Sequence, residues 1–231
     1  MKVLISGALF GLGAQLTKVF LEAGHHVFAG VHHTEDLGEL EAVMSQPQLT
    51  ILPLDVSNSA SIDAAVKQLK EKTQELDIVI NVAGVLLNRE NYIIQDSYAD
   101  INTTFQVNTI GPLYLNNLLF DLLKKSPQGT IINISSEVLS IDGVGAMFGT
   151  YIMSKTAIAQ YGYILKSTCL ALGLNLRVFS LHPGRMKTKM GAENGQIEAW
   201  ESARGIYKIA VGEVLEKNEH IYINYKGEPM L

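Results

Sequence analysis

The stretch that decides the fold stands at the beginning of the chain, Lys2-Val3-Leu4-Ile5-Ser6-Gly7-Ala8-Leu9-Phe10-Gly11-Leu12-Gly13. Its apolar start predicts a buried β-strand, and the glycines that follow predict a tight turn that leads into a helix. Gly7 can make the sharp bend, Gly11 lets the backbone approach a phosphate, and Gly13 lets the helix pack closely on the strand. The spacing is G-x-x-x-G-x-G and not the G-x-G-x-x-G of other dinucleotide folds.

Beyond this turn, short apolar runs alternate with longer amphipathic segments. The predicted strands are Lys2–Ser6, His26–Val31, Thr50–Leu54, Asp77–Asn81, Thr130–Ser135, Leu176–Leu181 and Ile221–Asn224. The predicted helices are Leu12–Ala23, one that ends near Thr73, Tyr98–Lys125, Tyr151–Leu172 and Trp200–Leu215. Such alternation predicts a parallel sheet with helices on both faces. We therefore expect a single α/β domain over residues 1–231, with a Rossmann-type, doubly wound parallel sheet of about seven strands.

The composition is that of an ordinary globular domain, with 47% apolar residues, 18% charged residues and a net charge of −5. No cluster of Lys and Arg is present, so we expect neither nucleic acid nor an anionic membrane as a partner. No apolar run approaches the roughly 18 residues of a membrane helix, and the apolar start is broken at Ser6-Gly7. The single cysteine, Cys169, fits a reducing compartment, so we expect a cytoplasmic protein.

Further short motifs follow later predicted strands. Asp55-Val56 follows the third strand, and Asn81-Val82-Ala83-Gly84 ends the fourth. Tyr151-Ile152-Met153-Ser154-Lys155 is a Y-x-x-x-K motif, and Pro183-Gly184-Arg185-Met186-Lys187-Thr188 follows the sixth strand. In this order, and together with the glycine turn, these motifs resemble the short-chain dehydrogenase/reductase family over nearly the whole chain. The second Asn of the family's N-N-A-G motif is Val82 here, which is a departure from the family pattern.

The resemblance implies an enzyme that moves hydride between a nicotinamide cofactor and a small carbonyl or alcohol substrate. In the family, the residue at Asp55 contacts the adenine, and the residue at Thr188 lies near the nicotinamide amide. The cofactor-binding residues that we expect are Gly7, Phe10, Gly11, Leu12, Gly13, His32, Asp55, Val56, Asn81, Ala83, Gly84, Tyr151, Lys155, Pro183, Gly184 and Thr188.

Tyr151 and Lys155 are the candidate catalytic pair. Residues four apart share a helix face, so Lys155 can lie beside the Tyr151 ring, and we expect its ammonium to lower the pKa of the phenol towards working pH. Ser136, fifteen residues before Tyr151, resembles the family's catalytic serine, which holds the substrate oxygen. Ser135 is its rival, because adjacent strand residues face opposite ways, and Ser140 is a remote third candidate.

Asn108 falls in the long predicted helix, where the family carries its fourth catalytic residue. Pro112, four residues later, has no N–H to donate to the Asn108 carbonyl. We therefore expect this carbonyl to hold a water that links Lys155 to solvent, the relay role that the resemblance implies. The alternative is an Asn in the helix interior beside a plain proline kink.

The end of the second strand bears on the choice of cofactor. An NAD-preferring site often places an acid there to bind the ribose 2′-hydroxyl. Here the aligned residue is Val31, His32 stands where NADP enzymes often carry Arg, and the family's other basic position is Phe10. We expect NADP(H) to be favoured over NAD(H), mainly because the acid is missing. The pairs His25-His26 and His32-His33 bracket the strand at opposite ends without a Cys or carboxylate cluster, so we expect no metal site.

Two other functions stay open. Nucleotide-sugar epimerases and dehydratases share Y-x-x-x-K but usually carry a substantial C-terminal substrate region, and in a chain of 231 residues only 43 follow Thr188. Non-catalytic cofactor-sensing or signalling proteins often lose the Tyr or the Lys, and both are present here. The substrate is set by Leu86–Asn91 and a short loop around 185–200, which carry no pattern that names it. The assembly, a homodimer or a homotetramer, is also open.

Overall fold

The computed structural model describes residues 1–137, 146–191, 195–214 and 220–230. Its centre is a sheet of seven strands in the order β3-β2-β1-β4-β5-β6-β7, and every neighbouring pair is parallel. The strands are β1 (Lys2–Ser6), β2 (His26–Val31), β3 (Leu49–Pro53), β4 (Ile78–Asn81), β5 (Thr130–Ile134), β6 (Arg177–His182) and β7 (Tyr222–Asn224). The strand order reverses direction next to β1, so the predicted doubly wound sheet is confirmed.

Helices cover both faces of the sheet, and two apolar cores result. The helices are α1 (Gly11–Glu22), α2 (Ser59–Lys72), α3 (Tyr98–Phe105), α4 (Gly111–Leu123), α5 (Gly149–Ala171) and α6 (Ala199–Val211). One core contains Phe20 of α1 and Ile206 of α6, and the other contains Leu69 of α2, Leu119 of α4 and Cys169 of α5. Within the described residues, no helix combines the length and the apolar composition needed to cross a bilayer.

Most predicted boundaries agree with the structure to within two residues, and the exceptions have local causes. The last helix does not reach its predicted end: it stops at Val211, because Gly212 adopts a left-handed φ of 84°. The predicted end itself, Leu215, lies outside the described residues. Two short 3₁₀ helices, Gly38–Val43 and Ile93–Gln95, were not predicted, because they are too short to show an apolar period.

The long predicted helix, Tyr98–Lys125, is divided by a π-helical turn over Gln106–Ile110. Gly111 donates its N–H to the Gln106 carbonyl, five residues back. Because Pro112 has no N–H, the α-helical bond to Asn108 cannot form. A Cβ on Gly111 would lie 2.0 Å from the Val56 carbonyl oxygen, so the irregular turn also packs tightly against the loop after β3. Such π-bulges are frequent at functional sites.

Candidate active site

Three predicted motifs meet at the carboxyl edge of the sheet, where ligands bind in open parallel sheets. A Cβ built on Gly7 would lie 2.7 Å from the Cα of Ala83, so the glycine turn touches the motif after β4. A Cβ built on Gly11 would lie 3.3 Å from Cγ2 of Thr188, so the turn also touches the motif after β6. The fold therefore assembles one site from segments that are far apart in the sequence.

The glycine turn has the conformation that the sequence predicted. Gly7 and Gly11 have φ of +65° and +55°, in the region that side chains disfavour. A Cβ on Gly13 would lie 2.1 Å from the Gly7 carbonyl oxygen, so α1 packs directly on the end of β1. Leu12 is buried in the α1 core, which leaves its backbone N–H as the group that it can offer to a ligand.

The turn already binds an anionic group. The Glu39 carboxylate accepts a hydrogen bond from the Gly11 N–H at 2.9 Å and another from Gln15 Nε2 at 3.3 Å. Gly11 begins α1, so this carboxylate lies at the positive end of the helix dipole. A cofactor phosphate requires the same N–H donors and the same sign of potential, so the residues present fit a dinucleotide. The sequence did not indicate Glu39, because it lies on an unpredicted 3₁₀ helix.

The ends of β2 and β3 form an exposed rim. His32 Nε2 lies 3.4 Å from Asp55 Oδ2, and its Nδ1 lies 2.9 Å from His33 Nε2. Burial by itself would raise the pKa of the Asp55 carboxyl, but the hydrogen bonds from Ser57 and the nearby His32 outweigh it and hold that pKa below its ordinary value. Val31, which aligns with the family's acid, is fully buried in the core. The rim therefore carries a histidine at the position predicted, and Val31 supplies no carboxylate.

A basic residue that the sequence did not indicate lies beside Phe10. The Lys189 Nζ is 4.9 Å from the centroid of the exposed Phe10 ring, and that ring lies over Gly38. Phe10 stands where the family often has a basic residue. Lys189, on the loop after β6, places a positive charge beside the glycine turn instead. Thr188, next to it, accepts a hydrogen bond from the Gly191 N–H at 3.1 Å.

The loop after β6 is fixed at its beginning. Ser202 Oγ on α6 donates to the Pro183 carbonyl at 2.6 Å. Gly184 has φ of +84°, and a Cβ there would lie 2.6 Å from Ile197 Cδ1, so this position needs glycine. The loop then returns over the glycine turn, which brings Pro183, Gly184 and Thr188 to the predicted cofactor side.

Asn81 points into the protein. Its Nδ2 donates to Oδ1 of Asn116 and to Oδ1 of Asn133, both at 2.9 Å, and it is buried. The side chain therefore ties β4 to β5 and α4, and only its backbone is left for the predicted cofactor contact. Val56, also expected to bind cofactor, is likewise buried, so its side chain belongs to the core. At both positions the side chain points inward, so the predicted cofactor contact would be made by the backbone.

Lys155 is almost fully buried, with 3% of its surface exposed. Its Nζ donates to the Ile134 carbonyl at 2.9 Å and lies 5.8 Å from the centroid of the Tyr151 ring. Burial lowers the pKa of Lys155 to about 8. Gly84 lies next to it, since a Cβ there would be 3.4 Å from Nζ. A buried lysine with a strongly lowered pKa is typical of a functional site.

The prediction that Lys155 lowers the pKa of Tyr151 is wrong for this structure. Burial raises the pKa of the Tyr151 hydroxyl, and a hydrogen bond with Ser136 opposes that rise only in part. The reason is that desolvation disfavours the phenolate. Meanwhile the Lys155 Nζ is bonded to the Ile134 carbonyl.

The two candidate serines face different partners. Ser135 Oγ donates to the Lys155 carbonyl at 2.9 Å, so its hydroxyl is engaged with the backbone of α5. Ser136 forms the hydrogen bond with the Tyr151 hydroxyl. Of the two, the structure therefore brings Ser136 to the tyrosine. The third candidate, Ser140, lies outside the described residues.

Asn108 joins the loop after β4 to α5. Its Oδ1 accepts from the Val85 N–H at 2.8 Å, and its Nδ2 donates to the Val85 carbonyl at 2.9 Å and to Ser154 Oγ at 3.0 Å. Its Oδ1 would lie 3.3 Å from a Cβ on Gly84, so Asn108 borders the same corner of the site as Lys155. The side chain is thus fully engaged, and the proposed relay depends on the backbone carbonyl that Pro112 cannot bond.

Three further residues that were not predicted border this corner. Tyr222, on β7, donates its hydroxyl hydrogen bond to the Ser136 carbonyl. Glu137 follows Ser136 and accepts from Arg185 Nε at 2.5 Å. Arg89 donates to the Met190 carbonyl and so joins the loops after β4 and β6. Of the three, only Glu137 has a signal in the sequence, namely its place beside Ser136.

Comparison with known proteins decides the family. The sequence profile described as short chain dehydrogenase matches residues 1–199. This chain belongs to the short-chain dehydrogenase family. A fatty acyl-CoA reductase from Acinetobacter baylyi is 32% identical over 170 residues, which cover 72% of this chain and 57% of the reductase. The NADP-dependent 3-hydroxy acid dehydrogenase YdfG from Shigella flexneri is 30% identical over 184 residues, which cover 80% of this chain and 72% of that protein.

A solved relative extends the likeness to the whole fold of this short-chain dehydrogenase. The structure of an NADPH-bound carbonyl reductase from chicken fatty liver superimposes with a TM-score of 0.87 at 29% identity, over 99% of this chain and 98% of the reductase. This chain spans just over half the length of the fatty acyl-CoA reductase. The predicted family and the predicted class, an NAD(P)-dependent oxidoreductase, are both confirmed.

Proposed function

We propose that this protein reduces a carbonyl compound to an alcohol, or catalyses the reverse oxidation, with NADP(H) as its preferred cofactor. The observation that carries this proposal is the meeting of Tyr151, Ser136 and Lys155 beside the glycine turn. When bound, the nicotinamide supplies or accepts the hydride at the substrate carbon. The chain itself provides the proton and holds the substrate oxygen.

Each of the four catalytic residues has a separate task. The Ser136 hydroxyl hydrogen-bonds the substrate oxygen and holds it at Tyr151. The Tyr151 hydroxyl, whose pKa burial raises, carries the proton that reduction of the carbonyl consumes. Lys155, whose pKa is about 8, is able to exchange a proton close to neutral pH and so resupplies the tyrosine. The Asn108 carbonyl holds the water that connects this exchange to solvent.

NADP(H) is the favoured cofactor. The glycine turn would hold its pyrophosphate, Asp55 the adenine end, and Thr188 the nicotinamide end. His32 stands on the rim where the 2′-phosphate would lie, and Val31 puts no carboxylate there to repel it. The relatives support this choice, since one is named as NADP-dependent and another was solved with NADPH.

Composition and exposed surface support proposals for the domain organisation, the cellular location and the assembly. We take residues 1–231 as one functional domain, with the loop around 185–200 selecting the substrate. The single cysteine supports a cytoplasmic location. A homodimer or homotetramer is supported by the apolar side chains that α5 exposes, among them Tyr163, Ile164 and Leu170. Light scattering of the purified chain measures this assembly.

The test compares the wild type with Tyr151→Phe on a panel of aldehydes and ketones, followed through the absorbance of the reduced cofactor. Tyr151→Phe removes the proton donor but little shape, so turnover should fall roughly 10²–10⁴-fold while the dissociation constant of NADPH changes less than twofold. Tyr163→Phe, at an exposed tyrosine of the same helix, is the matched control and should keep full activity.

Two outcomes would contradict the proposal. A Tyr151→Phe enzyme that keeps more than a tenth of the wild-type rate would show that another group transfers the proton. A wild type that binds NADPH but turns over no carbonyl compound would favour the non-catalytic, cofactor-sensing alternative.

A further inference from the structure

The carboxylate of Glu39 lies against the backbone that begins α1. Its Oε1 accepts a hydrogen bond from the Gly11 N–H at 2.9 Å, and its Oε2 accepts one from Gln15 Nε2 at 3.3 Å. Gly11 is the first residue of α1, so its N–H has no partner within the helix. The carboxylate of Glu39 therefore occupies a donor that the glycine turn could offer to a ligand.

The backbone around Glu39 is also held at the glycine turn. The Glu39 N–H donates to the Leu9 carbonyl at 3.1 Å. Gly38, which precedes it, packs against the Phe10 ring, since a Cβ there would lie 2.4 Å from Cε1 of that ring. Leu40, which follows it, is fully buried in the core. Three consecutive residues thus fix the start of this 3₁₀ helix, and the fold itself places the carboxylate at the turn.

The side chain of Glu39 is free to leave the turn while its backbone stays in place. Glu39 is exposed, and within the described parts of the chain its carboxylate forms no ion pair. Rotation of this side chain into solvent breaks the two hydrogen bonds and leaves the Leu9 and Leu40 contacts of the backbone intact. The occupied N–H of Gly11 can therefore be released without unfolding any element.

A dinucleotide and the Glu39 carboxylate require the same donor. In the proposed function, the pyrophosphate lies at the glycine turn and accepts hydrogen bonds from its N–H groups. A phosphate oxygen and a carboxylate oxygen cannot both lie in line with the Gly11 N–H, and two anions at such short distance repel each other. Binding of one therefore requires the departure of the other.

We propose that Glu39 is an internal competitor of the cofactor: its carboxylate occupies the Gly11 N–H in the free protein and is displaced by the pyrophosphate. This inference rests on the proposed use of a nicotinamide dinucleotide and adds a residue that sets the affinity for it. Because the Glu39 contacts must be broken first, the net affinity is lower than that of the same turn without the carboxylate.

The experiment measures the dissociation constants of NADPH and NADH by fluorescence titration of the wild type and Glu39→Ala. The variant should lower both constants by about 3–10-fold, because charge-assisted hydrogen bonds at an exposed site no longer have to be broken. The factor should be the same for the two cofactors, since they share the pyrophosphate. Glu39→Gln keeps an acceptor oxygen but not the charge, so it should bind both cofactors with intermediate affinity.

Glu41→Ala is the matched control, because Glu41 is an exposed carboxylate on the same 3₁₀ helix. It removes an equal charge and should leave both dissociation constants unchanged. Three results would overturn the inference. Unchanged or weaker binding by Glu39→Ala would show that the carboxylate does not compete with the cofactor. An equal gain in Glu41→Ala would show a general effect of charge, and a gain for NADPH alone would show an effect on the 2′-phosphate, which NADH lacks.

Thermal unfolding tests the same competition in a second way. Without cofactor, Glu39→Ala should unfold at a lower temperature than the wild type, because the contacts to Gly11 and Gln15 are lost. With saturating NADPH this difference should disappear, since the wild type has already given up these contacts in the complex. A difference that persists at saturation would show that the contacts remain in the complex, and would refute the competition.

These measurements separate the role of Glu39 from the oxidoreductase proposal, because they need no carbonyl substrate. Tighter NADPH binding by Glu39→Ala, in a protein that turns over no carbonyl compound, would uphold the competition and refute the reductase. An active reductase whose cofactor affinity is the same in the wild type and Glu39→Ala would do the reverse. If neither the wild type nor the variants bind NADPH or NADH, both proposals fail.

Discussion

The proposed catalytic corner, formed by Ser136, Tyr151 and Lys155, and the exposed rim, formed by His32 and Asp55, differ in their exposure to water. In the corner, Lys155 is 3% exposed and Ser136 is buried. On the rim, the His32 side chain is 57% exposed and that of Asp55 is 31% exposed. Burial lowers the pKa of Lys155 to about 8, whereas the pKa of Asp55 is lowered by nearby hydrogen bonds in spite of burial.

Because of this difference, the free-energy cost of removing a charge from water falls on the buried corner and much less on the exposed rim. A charge removed from water loses its hydration, and its interactions are hardly screened, so each partner matters. A charge at the rim keeps much of its hydration, and salt weakens its interactions. We therefore expect substitutions in the corner to change rate and stability strongly, and substitutions on the rim to change cofactor choice weakly.

The largest effect should follow Lys155→Met. In the proposed mechanism the variant loses the group that exchanges protons with Tyr151 and that would hold the nicotinamide ribose, so turnover should fall by roughly 10³-fold or more and NADPH should bind more weakly. Lys124→Met is the control, because Lys124 is exposed and pairs with Asp121 of the helix that it follows. A Lys155→Met enzyme with unchanged NADPH affinity would contradict the double role.

The same variant should be more stable than the wild type at neutral pH. The difference between the ordinary pKa of 10.5 and about 8 corresponds to roughly 3 kcal/mol, and loss of the bond to Ile134 reduces the expected gain to about 1–3 kcal/mol. Below about pH 8 both the folded and the unfolded states bind the proton, so the full cost is present. Between about pH 8 and 10.5 only the unfolded state binds the Lys155 proton. The wild type therefore becomes more stable as pH rises, and its stability approaches that of Lys155→Met. Denaturation of both proteins across this pH range measures the difference. If burial of the charge is not the cause, the difference in unfolding free energy between Lys155→Met and the wild type will stay constant with pH.

A smaller effect should follow Tyr222→Phe. Tyr222 donates to the Ser136 carbonyl and so fixes the backbone that carries the proposed catalytic hydroxyl, and we expect it to act as a positioning residue. Removing this bond should lower kcat by about 3–10-fold with KM nearly constant, as expected for a hydrogen bond worth about 1 kcal/mol. Tyr207→Phe also removes one hydroxyl contact, to His25, and it should lower stability without lowering kcat. Equal kcat values for the two variants would show that Tyr222 has only a structural role.

The smallest effect should follow His32→Ala on the rim. An imidazole at an exposed site contributes little, so the dissociation constant of NADP should rise about 2–5-fold and that of NAD should not change. His33→Ala removes the adjacent, exposed imidazole and is the matched control. A wild type that itself binds NAD tenfold more tightly than NADP would show that the rim does not select the 2′-phosphate.

Motifs carried by the backbone were the easiest to predict. The glycine turn, the strand pattern and the Y-x-x-x-K spacing each express a local constraint, which a single sequence displays directly. Gly7 needs a left-handed φ, and Gly13 lies where a Cβ would meet the Gly7 carbonyl oxygen. For the same reason, the seven strands were placed within about two residues of their observed ends.

Contacts between distant segments were harder to predict. Tyr222 reaches Ser136 across 86 positions, Arg89 reaches Met190 across 101, and Glu39 lies on an unpredicted turn that returns to Gly11. Nothing in the residues themselves distinguishes these side chains from other surface or core residues. They acquire a role only when β7 and the loops after β2, β4 and β6 are brought to one edge of the sheet.

The sequence by itself determined the family, the doubly wound sheet and the pairing of Tyr151 with Lys155 on one helix, because each depends on residue types at short, fixed spacings. Only the tertiary structure decided which of Ser135 and Ser136 faces Tyr151, since that depends on how β5 lies against α5. The tertiary structure also reversed the expected shift of the Tyr151 pKa, because burial raises it. Spacing along a helix gives proximity, but the free energy of a charge depends on how much water the whole fold removes from it.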